Sequence, residues 1–210
     1  MAGLKELRTR IETIKSTEKI TSAMKMVAAA RLRRSQGLIE KCRSYNNNIL
    51  ASANRVLFEL RQEEQKKNIR FVYPELMRGS GKAENYLLLV FTSDRGLCGS
   101  YNSNVAREAA KRIEEILGCG KNVKILCVGK KGRDILKRKY ADLIVDTIEG
   151  VAKKGAKYDE AVDLSQRVLE MFAKGEFDVC ETIFSRFRSA INREIAVRQV
   201  LPVQIEEFEY

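Results

Sequence analysis

The residues best suited to chemistry lie in a glycine-containing loop that follows an apolar run. It reads Ser93-Asp94-Arg95-Gly96-Leu97-Cys98-Gly99-Ser100-Tyr101-Asn102. Its backbone N–H groups could cradle a phosphate, whose charge Arg95 could neutralise. A dinucleotide fingerprint needs Gly-x-Gly-x-x-Gly, however, and here only Gly96 and Gly99 occur. We therefore interpret these glycines as tight-turn residues, with phosphate binding as the alternative.

Two further glycine pairs follow later apolar runs and match phosphate loops only in part. Gly129-Lys130-Lys131-Gly132 lacks the remaining positions of a phosphate loop, and Gly150 and Gly155 have the Walker A separation. Ala156 stands where that motif needs its lysine. Tight turns are again the favoured interpretation.

Histidine is absent from all 210 residues, which removes Ser-His-Asp triads, Cys-His dyads and histidine metal ligands. The five cysteines are an odd number and never form Cys-x-x-Cys, which argues against a disulfide framework and a zinc cluster. We interpret them as small buried thiols in a reducing compartment. Catalysis by carboxylates or lysine remains open, but the sequence assigns no catalytic residue, no metal site and no cofactor.

The element that precedes these loops is a very long helix. Between Leu4 and Gln62 there is no proline and a single glycine, Gly37, which predicts a rod of about 90 Å at about 1.5 Å per residue. Steps of three and four residues repeat along two coiled-coil stripes, formed by Leu4, Leu7, Ile11 and Ile14 and by Ile39, Cys42, Asn46, Ile49, Ala53, Val56 and Leu60. The alternative is a helix packed on its own domain, although the rod is too long for such packing to cover all of it.

The positive charge is concentrated on this helix. Residues 1–67 hold 15 Lys and Arg against 7 Asp and Glu, a balance of +8 out of the +11 of the whole chain. Basic residues crowd its middle at Lys15, Lys19, Lys25, Arg31, Arg33 and Arg34. The cluster suits an acidic partner or phosphate, and a merely solvated face is the alternative.

The rest of the chain predicts a linker at 63–84 and a small Rossmann-like α/β domain at 85–205. Pro74 and Gly79-Ser80-Gly81 are the turn signals of the linker. Strands are predicted at Leu87–Phe91, Val123–Val128, Leu143–Val145, Val179–Ser185 and Ile195–Leu201, and helices at Asn104–Leu117, Lys130–Arg138 and Asp159–Ala173. This order favours a mostly parallel sheet, with the last two strands as an antiparallel edge pair.

Two segments resemble the hallmark motifs of the γ subunit of F-type ATP synthases. They are residues 20–34, Ile-Thr-Ser-Ala-Met-Lys-Met-Val-Ala-Ala-Ala-Arg-Leu-Arg-Arg, and the loop Ser93–Gly99 completed by Asn102. The resemblance covers all 210 residues. It implies a non-catalytic central-stalk rotor that couples proton-driven rotation of the c-ring to the conformational cycle of the catalytic β subunits.

The resemblance also implies the partners and the location. The helix would stand inside a ring of α and β subunits, and the α/β domain would form a foot on the c-ring beside the ε subunit. The protein would bind no nucleic acid and would not itself span the membrane. It would lie inside the cell, at the periphery of the cytoplasmic face of a bacterial inner membrane or its organellar equivalent.

Carried over residue by residue, the resemblance assigns two partner-binding sets. The first would face the acidic loops of the α and β ring and comprises Met24, Lys25, Val27, Arg31, Arg33 and Arg34. The second is the motif loop, with a structural role or contacts within the foot, and comprises Asp94, Arg95, Gly96, Leu97, Cys98, Gly99 and Asn102.

Members of that family continue past the last strand into a second long helix that winds antiparallel on the first. We interpret residues 206–210 as the start of that segment. On this expectation the coiled-coil stripes have no partner within the sequence, either through truncation or because the missing half comes from elsewhere.

Two other functions remain as alternatives. A nucleic-acid-binding protein is suggested by the net charge of +11, although tryptophan is absent and few aromatic residues lie among the basic ones. A Rossmann-type nucleotide enzyme is suggested by the α/β domain alone, and fold does not establish function.

Overall fold

The computed structural model describes residues 3–68, 74–151, 155, 157–189 and 193–203. The chain divides into two compact units, with the boundary between Glu63 and Glu64. Residues 206–210, which we assigned to a further segment, lie outside the described residues. In the described part of the chain, none of the helices combines the length and apolarity needed to cross a membrane.

The first helix, α1, runs from Leu4 to Lys67 without interruption at Gly37. It is five residues longer than predicted, so the assignment of 63–67 to the linker is wrong. These residues, Glu-Glu-Gln-Lys-Lys, are all good helix formers. Lys66 and Lys67 lie in the last turn, where their positive charges interact favourably with the negative end of the helix dipole.

Most apolar side chains of α1 are exposed, because few other described residues of the chain pack against this helix. Leu4 is 70% exposed, Ile14 65% and Val56 56%. In the predicted stripe from Ile39 to Leu60, the side chains are exposed or half-buried, whereas Leu57, outside that stripe, is buried. The coiled-coil face therefore remains open along most of the helix.

The second unit contains a five-stranded sheet with the order β3-β2-β1-β4-β5. The strands are β1 (Asn85–Phe91), β2 (Asn122–Val128), β3 (Ile144–Ile148), β4 (Val179–Phe187) and β5 (Arg193–Leu201). The first four pair in parallel and β5 pairs antiparallel with β4. The predicted fold class is confirmed.

Helices connect the parallel strands. A short helix, α2 (Glu75–Arg78), precedes β1, and α3 (Tyr101–Gly118), α4 (Lys130–Tyr140) and α5 (Tyr158–Ala173) follow β1, β2 and β3. The third strand lies further along than the predicted Leu143–Val145, because Ala141–Leu143 forms a 3-10 turn. The polar residues Asp146 and Thr147 interrupt the apolar run from which the strand was predicted. A half-exposed edge strand does not need such a run.

The sheet is buried on both faces. Leu88 and Val90 of β1 belong to one core cluster, with residues of α3 and α4, whereas Leu87 and Leu89 belong to another, with Val168 of α5. Successive residues of a strand point to opposite faces, so a continuous apolar run serves both cores. This arrangement fixes the loops at the carboxyl ends of β1, β2 and β3.

Candidate functional site

The residues predicted to contact the α and β ring lie on more than one face of α1. Met24, Val27, Arg31 and Arg34 have the spacing i, i+3, i+7, i+10, which places them within about 80° of the helix surface at about 100° per residue. Lys25 and the remaining arginine, at position 33, point elsewhere around the helix. The structure thus brings four of the six predicted residues together.

This face, formed by Met24, Val27, Arg31 and Arg34, is available to a partner. Met24 is 52% exposed and Val27 54% exposed, and both arginines are exposed. Residues 19–39 contain five basic residues and no Asp or Glu. The two arginines make no ion pair within the described part of the chain. The helix therefore presents uncompensated positive charge beside apolar side chains.

A row of threonines on α1 was missed by the sequence analysis. The hydroxyls of Thr9, Thr13, Thr17 and Thr21 each donate to the carbonyl four residues earlier, over 2.9–3.1 Å. Each hydroxyl donor is therefore satisfied within the helix and does not require a polar partner elsewhere. The regular spacing of four residues is the signal that could have revealed it.

The motif loop is held together by Asn102, a buried residue at the start of α3. Its side-chain oxygen accepts the N–H of Ser93 over 3.0 Å, and its amide donates to Ser93 Oγ over 2.9 Å. The same amide lies 3.0 Å from Cys98 Sγ. Both ends of the loop are therefore fixed to one side chain.

Asp94 joins this loop to the loops after two other strands. Its Oδ1 accepts the N–H of Lys130 over 3.0 Å, and its Oδ2 accepts the N–H of Gly150 over 2.8 Å. Lys130 begins α4 after β2, and Gly150 follows β3. The carboxylate thus ties together the carboxyl ends of three neighbouring strands.

Other residues of the loop point into solvent. Leu97 is 96% exposed and has φ of +60°, a conformation that costs a non-glycine residue free energy. Gly99 also has φ of +60°, which supports the tight-turn interpretation. Arg95 is exposed, and its carbonyl accepts the hydroxyl of Ser93 over 2.6 Å. Gly96, at the tip, has open space where a Cβ would lie.

Gly129 and Gly132 pack closely against Thr92. This role of the two glycines was not predicted from the sequence. A Cβ on Gly129 would lie 2.3 Å from the Thr92 carbonyl oxygen, and a Cβ on Gly132 would lie 2.7 Å from Thr92 Oγ1. That hydroxyl oxygen also accepts the N–H of Gly132 over 2.8 Å. These glycines therefore allow the start of α4 to approach Thr92, just after β1, closely.

The cysteines differ in exposure. Cys127 and Cys180 are buried, and burial raises the pKa of their thiols to about 11 and about 12. Cys42 and Cys119 are exposed, so the expectation of buried thiols is wrong for them. Within the residues that the structure describes, no group of three or more His, Cys, Asp or Glu residues could hold a metal ion.

Comparison with known proteins gives a consistent result along the chain. A family profile described as ATP synthase matches residues 3–210. The ATP synthase gamma chain of Sinorhizobium medicae is 41% identical over 207 residues, which are 99% of this chain and 69% of that protein. The ATP synthase gamma chain of Sinorhizobium fredii is 42% identical over 202 residues, 96% of this chain and 67% of that protein.

A solved structure supports the same relation. A chain from the central stalk and c-ring of the mitochondrial ATP synthase of Tetrahymena thermophila superimposes with a TM-score of 0.63 and 25% sequence identity. The match covers 90% of this chain and 80% of that one.

Proposed function

This chain belongs to the ATP synthase γ-chain family, and from that premise we propose that it couples proton-driven rotation of a c-ring to the conformational cycle of catalytic β subunits. It is a γ chain of the ATP synthase central stalk. In this proposal α1 forms the shaft and residues 85–205 form the foot. ATP is made or hydrolysed on the surrounding subunits, and the γ chain contributes no catalytic residue.

The observation that carries this proposal is the exposed face of α1 that includes Arg31 and Arg34. Positive charge without a partner in the described residues fits acidic loops on the inner surface of an α and β ring. Exposed charge pairs are worth only about 0–1 kcal/mol each, so they can break and re-form at each step of rotation. Met24 and Val27 add apolar contact without a directional bond.

A rotating shaft acts by favouring different conformations of the subunits around it. Because a ligand shifts an equilibrium only by its differential affinity, α1 must contact the open and closed states of β differently. The unequal faces of α1 supply that asymmetry. The foot binds the c-ring and the ε subunit, which places the protein at the periphery of the cytoplasmic face of the membrane or its organellar equivalent.

Co-purification of the tagged chain with the α and β subunits of its own cell tests this proposal. We expect both subunits in stoichiometric amounts at physiological salt. Replacing Arg31→Ala and Arg34→Ala together should weaken the association about two- to thirtyfold, since two exposed ion pairs are lost. Lys41→Ala with Lys66→Ala is the matched control, because it removes the same charge from exposed positions of the same helix that make no ion pair within the described residues.

Two results would oppose the proposal. Recovery of the chain without α and β subunits would reject the central-stalk role. An equal loss of binding in the Lys41 and Lys66 control would show that net charge matters and that the face around Arg31 does not.

A further inference from the structure

Asp94 lies where open parallel sheets usually bind ligands. Ligands of such sheets sit outside the carboxyl ends of the strands, where backbone N–H groups and helix N-termini accept anions. Here the loops after β1, β2 and β3 meet at that edge, and a carboxylate of the chain itself lies among them.

Two separate elements donate to this carboxylate. The N–H of Lys130 opens the eleven-residue helix α4, whose dipole favours a negative charge at that end. The N–H of Gly150 comes from the turn after β3, at φ of +85°. The two oxygens each take one donor, as two oxygens of a bound phosphate or carboxylate ligand would.

Three other backbone donors, in the segment that opens α4, also have acceptors within the chain. The N–H of Lys131 donates to the Ser93 carbonyl over 3.0 Å, and the N–H of Gly129 donates to the Ile148 carbonyl over 2.9 Å. Gly132 donates to Thr92 Oγ1. A phosphate entering between Asp94 and the start of α4 would have to displace bonds that are already formed.

We propose that the Asp94 carboxylate is the built-in occupant of an oxyanion site at the carboxyl edge of the sheet, and that it closes this site to external phosphate and carboxylate ligands. The inference is independent of the rotor role. It accounts for a Rossmann-like domain in which the amides of Lys130 and Gly150, at two partial matches to phosphate loops, already have an acceptor within the chain.

Chemical rescue of Asp94→Ala by formate tests this proposal in the whole chain. The truncation leaves space for one carboxylate, so formate should bind there with saturation. We expect it to raise the melting temperature of the variant by about 3–6 °C at ten times its dissociation constant, relative to chloride at equal ionic strength. In NMR spectra the amide signals of Lys130 and Gly150 should shift with the same dissociation constant.

Three controls separate an oxyanion site from a general effect. Asp142→Ala removes an exposed carboxylate in the 3-10 turn after α4 and should show no formate effect. Asp94→Asn fills the space and should lose stability without rescue. The unaltered chain should show no stabilisation by formate or inorganic phosphate beyond that by chloride.

Several outcomes would overturn the proposal. Equal stabilisation of Asp94→Ala and Asp142→Ala by formate would reduce the effect to general salt. Phosphate binding to the unaltered chain at the Lys130 and Gly150 amides would show that the site is open. An Asp94→Ala variant that remained unfolded in molar formate would show that the side chain is needed for something other than its charge and its two acceptors.

Discussion

Single carboxylates at opposite ends of the sheet connect segments that are distant in the sequence. Asp94 connects the carboxyl ends of three strands by hydrogen bonds. At the amino ends, Asp178 accepts a hydrogen bond from the first residue of β1. Asp178 accepts Ser80 Oγ over 2.6 Å, the backbone N–H of Asn85 over 2.9 Å and that of Glu84 over 3.2 Å. The hydrogen bonds that Asp178 accepts are strongest when its carboxylate is ionised.

The stability contributed by Asp178 should depend on pH. Burial acts to raise the pKa of this carboxyl, but the hydrogen bonds that it accepts, first among them that from Ser80, lower it below its ordinary value. The contribution is therefore complete above the unfolded pKa of about 4 and is lost as the pH falls through the folded value. Asp178→Asn should cost about 2 kcal/mol at pH 7, and less at pH 3.

Urea unfolding at both pH values measures this change. A difference between the original chain and the variant that stays constant from pH 7 to pH 3 would show that the charge of Asp178 contributes nothing. Asp142→Asn provides the control for loss of an exposed carboxylate.

At the scale of elements, the sequence predicts those helices and strands that a local residue pattern determines. The helix α1, four of the five strands and the antiparallel edge pair follow from periodicity, apolar runs and turn residues. The third strand was misplaced because an edge strand is only half-buried. The partner of Gly129 could not be predicted, since Thr92 lies 37 residues away and meets it only through strand pairing.

Gly129→Ala should be far more destabilising than Gly120→Ala. Both glycines have positive φ, +108° and +74°, so both variants incur backbone strain. Only at position 129 would the new Cβ also meet backbone, 2.3 Å from the Thr92 carbonyl oxygen. We expect about 1–3 kcal/mol beyond the cost at Gly120, measured by chemical denaturation. Equal losses would mean that the close approach to Thr92 is unimportant.

The exposed stripe from Ile39 to Leu60 should make the isolated chain self-associate. Its side chains repeat at coiled-coil spacing and remain in solvent, with Ile49 48% and Val56 56% exposed. Sedimentation velocity should show a larger species as concentration rises, and Ile49→Lys with Val56→Lys should abolish it. A strictly monomeric chain whose α1 amides resist hydrogen exchange would contradict this expectation.

At the scale of the whole molecule, the family relation was predictable because both motifs are long and occur in the right order. The resemblance also assigned six residues between positions 24 and 34 to one interface, and the helix places four of them on one face of α1 and the other two elsewhere around it. The residues of the α, β, ε and c subunits that would contact this protein belong to other chains. One sequence therefore predicts the surface that is offered and leaves the contacts themselves as proposals.

Rotation itself is the most direct test of the central claim. In an ATP synthase complex immobilised through its β subunits, a probe on Cys119 would report the orientation of this chain, after Cys42→Ser and Cys98→Ser remove the other accessible thiols. Cys127 and Cys180 should not react, because they are buried and their pKa is raised. We predict stepwise rotation in one direction during ATP hydrolysis. A probe that stays stationary while the complex hydrolyses ATP would contradict the account.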